Sequence, residues 1–257
     1  MKRLIYMVLC IIVLFAFTAC SNDASTQSSK TTASSETTTT PSNTAITGEP
    51  IEFIDEAFEA KVRKALNKPE GDITIEEAAA VISLDVSNEH FEKKDGDIKD
   101  ISDIKYFTAL EELNISFNEI SDLAPLAEIK TLRTLVFNGI KARDLSPLKD
   151  LTNMVCLVFC WNAGGSDIGF ENLDALSNMK NLENIDAKNA GIKDISVLSN
   201  LTKLWDIQLC DNQITDITPL ANLKNLKIVL LGNNPVTDFS PLNDVYENLE
   251  GKDFEIK

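Results

Sequence analysis

Four titratable side chains, Asp186, Lys188, Asp206 and Asp211, should fall on neighbouring strands, near three cysteines, Cys156, Cys160 and Cys210. Carboxylates beside an amine can exchange protons, and thiolates can attack, pair or hold a metal. The partners such chemistry needs are scarce. His90 is the chain's single histidine, so a Ser-His-Asp triad or a His-rich metal site has almost nothing to be built from. Gly164-Gly165-Ser166-Asp167-Ile168-Gly169 lacks the spacing of a phosphate-binding loop and has no lysine behind it, which makes a surface bulge the better reading. A second set of acids is periodic: Asp100, Asp122, Asp144, Asp194, Asp216 and Asp238, with Asn172 in phase. A short acceptor ahead of a tight turn caps that turn, whereas a calcium ladder would need loop motifs the chain lacks. No catalytic residue, metal or cofactor is therefore expected.

The bulk composition agrees. With 257 residues, 44% of them hydrophobic, the chain can bury a core; 24 Lys and Arg against 40 Asp and Glu give a net charge of −16. Such an acidic excess disfavours nucleic acid and simple adsorption to anionic lipid. Lys2-Arg3, the apolar run Leu4 to Phe17 and the exit Thr18-Ala19-Cys20 read as a secretory signal. With Cys20 at the exit it resembles a bacterial lipoprotein signal, which implies removal of residues 1–19 and acylation of the Cys20 thiol. Residues 20–49 form the expected tether: positions 21–48 hold 16 Ser or Thr among 28 and bury too little to repay ordering.

The elements that position these groups come from a repeat of 22 residues. Frames begin at Ile98, Ile120 and Ala142, and resume after six extra residues at Phe170, Ile192, Ile214 and Val236. In each, an apolar pattern such as Leu204-x-x-Ile207-x-Leu209 predicts a short strand, followed by a turn and a non-strand return segment such as Asp216-Ile217-Thr218-Pro219-Leu220. One unit cannot bury its own apolar side, but a stack can. Asn118, Asn162, Asn212 and Asn234 recur at the strand exit, where a carboxamide can serve backbone donors and acceptors at once; Ile140 and Ala190 should interrupt that ladder. Upstream, Phe58, Val62, Ala65 and Leu66 form a helical stripe, Thr74-x-x-Glu77 has capping-box spacing for a second helix over Ile75 to Val81, and Leu84-x-Val86 offers a first, incomplete strand.

These frames resemble the short leucine-rich repeat, and the Asp-Leu-x-Pro-Leu returns resemble the internalin-type bacterial subclass, as does the run Val62 to Thr74 as an N-terminal cap. The implied fold is an α/β leucine-rich-repeat solenoid with parallel strands on its concave face. Its expected layout is a helical cap and irregular first repeat at 50–97, then repeats with a C-terminal end cap at 98–257. The resemblance also implies adhesion or contact with a host surface, without transferring any member's contact residues.

Outward-pointing strand positions should line the concave face. There Val136, Cys156, Val158 and Cys160, with Phe117 and Trp161 at the strand exits, read as a solvent-facing apolar patch rimmed by Asp186, Lys188, Asp206 and Gln208. Cys156 and Cys160 are separated by roughly 13 Å of strand rise, and Cys160 and Cys210 by two strands or roughly 10 Å, so neither pair can form a disulfide. Three free thiols follow. The reading is a monomeric cell-envelope lipoprotein, anchored at the outer face of a bacterial membrane, that binds a protein or glycan partner on its concave face. A scaffolding lipoprotein with no host ligand is the rival reading.

Overall fold

The computed structural model describes residues 48–89, 97–162, 169–170 and 173–256. The expected signal, Cys20, most of the tether, His90 and all of the insert 164–169 but Gly169 lie outside the described residues.

Two helices open the described chain. In α1 (Glu56–Ala65), Asp55 is the N-cap, its Oδ1 accepting the N–H groups of Ala57 and Phe58, and only Phe58 and Val62 of the expected stripe are buried. Ala65 is exposed, because the helix ends there and the chain turns away. The expected capping box forms at α2 (Ile75–Ala79): Thr74 Oγ1 accepts from Glu77 N–H, and Glu77 returns a carboxylate to Thr74 N–H. This helix stops two residues short of the expected Val81.

Eight strands follow, all parallel and in sequence order: β1 (Ser83–Asp85), β2 (Glu112–Asn114), β3 (Thr134–Val136), β4 (Cys156–Val158), β5 (Asn184–Asp186), β6 (Asp206–Gln208), β7 (Ile228–Leu230) and β8 (Gly251–Lys252). Through β7, each repeat pairs with the next residue for residue, as Leu113 with Leu135, Leu157, Ile185, Ile207 and Val229. Between strands the chain returns through 3₁₀ turns, among them Ala124–Glu128, Ser146–Leu148, Asp174–Asn178 and Thr218–Leu220. Six of the periodic aspartates cap these turns: Oδ1 of Asp100, Asp122, Asp144, Asp194, Asp216 and Asp238 each accepts the N–H two residues on, at 2.6 to 2.8 Å.

The core is a stack of leucine and isoleucine rows between sheet and return turns. Beside the longer repeat it turns aromatic: Phe137 and Phe159 stack at 5.4 Å, and Phe170 meets Phe159 edge-on at 5.2 Å. The asparagine ladder also forms. Asn212 Nδ2 donates to the carbonyls of Ala187, Leu209 and Cys210 while its Oδ1 accepts from Ala190 and Ile192. The expected gaps at Ile140 and Ala190 are bridged from the following repeat, since their N–H groups reach Asn162 and Asn212 Oδ1.

Both ends of the stack are covered. At the start, Asp55 Oδ2 accepts the N–H groups of Lys99 and Asp100, buried Asp103 accepts from Ile54 N–H, and Phe58 packs near Phe107. At the other end Phe254 stacks on Phe239 at 4.6 Å, and Asp253 accepts the N–H groups of Leu231 and Gly232. No helix among the described residues is long and apolar enough to cross a membrane.

Candidate binding face

The concave face consists of three rows of outward side chains. Along the stack these run Glu112, Thr134, Cys156, Asn184, Asp206, Ile228; then Asn114, Val136, Val158, Asp186, Gln208, Leu230; then Ser116, Asn138, Cys160, Lys188, Cys210, Gly232. The structure brings every strand residue of the expected patch onto this one face, but not into solvent. Val136 and Val158 are 5% exposed, Cys156 2% and Cys160 3%, so the expected solvent-facing apolar patch is corrected to a closed surface. Neighbouring strands lie about 4.8 Å apart, and in strict parallel register each outward side chain is flanked on both sides by its equivalents. On a concave face those rows converge and exclude water.

The accessible groups lie around that closed centre. Asp186, Lys188 and Gln208 are half-buried, as are Ile228 and Leu230 at the distal end, which the sequence reading left out of the patch. Asp206 is only 1% exposed. Burial raises its carboxyl from the ordinary 3.8 to about 6, and the Asp186 charge adds to that; Gln208 Nε2, 3.3 Å from Oδ1, opposes it. The buried Asn184 Nδ2 also faces this carboxyl without forming a hydrogen bond of normal geometry. Asp186 is raised too, by burial, against the Cys160 thiol that donates to its Oδ1 at 3.0 Å.

The three thiols are free, as expected, but they are buried, where Cys156 and Cys160 were expected to face solvent. Burial, reinforced by Asp186, raises Cys160 well above the ordinary thiol range; burial and the Asp253 charge raise Cys210 to about 12. Both therefore remain largely protonated near neutral pH, which disfavours nucleophilic attack. Among the described residues no group of three or more His, Cys, Asp or Glu is placed to hold a metal.

Phe117 and Trp161 occupy the edge where the chain leaves the strands, at one phase of the repeat. That phase is left-handed in six successive repeats, with φ of 57° at Phe117, 60° at Gly139, 57° at Trp161, 51° at Asn189, 59° at Asp211 and 59° at Asn233. Gly, Asn and Asp suit this conformation, but bulky aromatics strain it by about 1–3 kcal/mol. The Phe117 and Trp161 rings stack at 6.3 Å across Gly139, where an added Cβ would stand 2.7 Å from Phe117 Cδ1. This shared left-handed position was missed in the sequence, although the alternation of Gly, Asn and Asp with two aromatics at one phase was its visible signal.

An open stack of short parallel strands with capped returns defines a leucine-rich-repeat solenoid, and a family model described as Leucine Rich repeats (2 copies) matches residues 206–244. Its repeat form and cap are internalin-like. The structure is similar to internalin C2 from Listeria monocytogenes, with 25% identity, 78% of this chain and 93% of that one covered, and a TM-score of 0.61. It also matches an internalin, inlF, from the same organism at 24% identity, with 81% and 80% covered and a TM-score of 0.49. No curated protein sequence matches the chain.

Proposed function

We propose that this protein is a bacterial surface module whose concave face and aromatic edge bind a protein partner, in adhesion or in contact with a host or envelope component. The observation that carries this reading is the retention of Phe117 and Trp161, half-buried, at left-handed positions that neighbouring repeats fill with Gly, Asn or Asp. Strain kept against an easy substitution, beside the half-buried Asp186, Lys188 and Gln208, suits a recognition surface. The Cys20 lipid would hold the module, as a monomer, at the outer face of the membrane, with residues 20–49 as its tether. Similarity to internalin C2 supports a binding role of this general kind.

The test is capture from bacterial envelope extract and from host-cell lysate, comparing the wild type with Trp161→Asn. Because asparagine suits φ near 57°, this variant should fold normally and lose the partner. A partner found only in envelope extract would favour the scaffolding reading. Undiminished capture by a folded Trp161→Asn would remove the aromatic edge from the binding site.

A further inference from the structure

The return side carries a cleft independent of the concave face. It has a volume of about 660 Å³ and opens between the 3₁₀ turns Ser146–Leu148 and Asp174–Asn178. These turns belong to the repeats on either side of the six extra residues. The added length re-enters the stack at Gly169, where a Cβ would stand 2.3 Å from the Ala190 carbonyl oxygen. The chain can pass there only as glycine.

Arg143 lines this cleft in an unusual electrostatic position. Its Nη1 donates to the carbonyls of Ile140 at 2.9 Å and Ala142 at 2.7 Å, fixing the guanidinium while leaving Nε and Nη2 as a planar fork. Burial lowers its pKa, and among the described residues no carboxylate forms an ion pair with it. Neighbouring Asp144 is committed elsewhere, Oδ1 accepting from Ser146 N–H at 2.8 Å and Oδ2 from Ser146 Oγ at 2.7 Å. Lys149 lines the same cleft, also without an ion-pair partner among the described residues. Asp174 lines the cleft as well, but among the described residues neither Arg143 nor Lys149 has an ion-pair partner, and in a concavity of ligand size the two cations can take an external anion.

We propose that this cleft binds an oxyanion carried on a hydroxylated body, a carboxylate or phosphate held by the Arg143 fork with Lys149 beside it. Ser177 and Asn178 on the facing turn, which also line the cleft, are suited to hydroxyl groups.

Calorimetric titration of the full chain with glucuronate and with glycerol 1-phosphate, using glucose as the neutral control, tests this. At least one anionic probe should bind and glucose should not; which of the two binds tells a carboxylate source from a phosphate source. Arg143→Gln should weaken that binding at least tenfold, and Lys149→Gln by a smaller factor. Should Arg143→Gln fail to fold, Lys149→Gln carries the test, because its side chain makes no hydrogen bond to the described residues of the fold. Binding of neither anion, equal binding of glucose, or unchanged affinity in the folded variants would overturn the proposal.

Discussion

Asp206 is held nearly dry at the middle of the concave face, where burial and the Asp186 charge raise its carboxyl to about 6. Unfolded, it titrates near 3.8, so between these values the folded chain holds a proton that the unfolded chain has lost. Stability from this group is therefore present below pH 4, falls as pH rises through the window from 4 to 6, and stays reduced above it. Asp206→Asn should stabilise the protein at pH 7.5 by up to about 3 kcal/mol, with the gain vanishing near pH 4. Urea midpoints at the two pH values check this, and an equal gain at both would contradict it. The same residues show where the sequence was legible. Period-two alternation established which side of the sheet Val136, Cys156, Val158 and Asp206 leave by, and the structure agrees. It could not establish their hydration, which depends on the lateral spacing and curvature of neighbouring strands.

At the scale of the element, each repeat depends on two polar devices of unequal weight. The return-turn aspartates other than half-buried Asp100 are exposed, and all act over two residues, as Asp216 does toward Thr218 N–H at 2.8 Å. Asn212 is buried and serves five backbone groups in two repeats. Asp216→Ala should cost about 0.5–2 kcal/mol, as the loss of a cap does. Asn212→Ala should cost more, about 3 kcal/mol or above, since each orphaned buried group alone is worth about 1–3 kcal/mol. Calorimetric melting of both variants checks the order; similar losses would mean that the ladder is not a principal support. Both devices were legible because a local geometry copied at a fixed period leaves a mark in the sequence. The bridging of Ile140 and Ala190 by Asn162 and Asn212 was not. That contact joins residues 22 apart and depends on how closely two repeats stack.

For the whole molecule, an open stack remains folded only if its first and last rows are covered. Besides Asp103, Asp55 joins the cap to the array: its Oδ1 caps α1 and its Oδ2 takes the N–H groups of Lys99 and Asp100. Although burial opposes ionisation, these four donors hold its carboxyl below the usual range. Its contribution is thus present above pH 4 and lost as acid protonates it. Asp55→Ala should destabilise the domain by about 2–4 kcal/mol, and hydrogen exchange should quicken in α1 before it does in β5 or β6. Uniform acceleration instead would show that cap and array unfold as one unit. The solenoid and its caps were legible from periodicity and a capping box, whereas the cleft at Arg143 was not, since it depends on the spacing of two return turns, Ser146–Leu148 and Asp174–Asn178. The central claim, recognition through the concave side, is tested most directly by photo-crosslinking on intact cells. A reactive residue replacing half-buried Gln208 on that face is compared with one replacing exposed Asn222 on the return side. Specific adducts from position 208, lost on adding Trp161→Asn, are the predicted result; adducts from position 222 alone, or equal adducts from both, would contradict it.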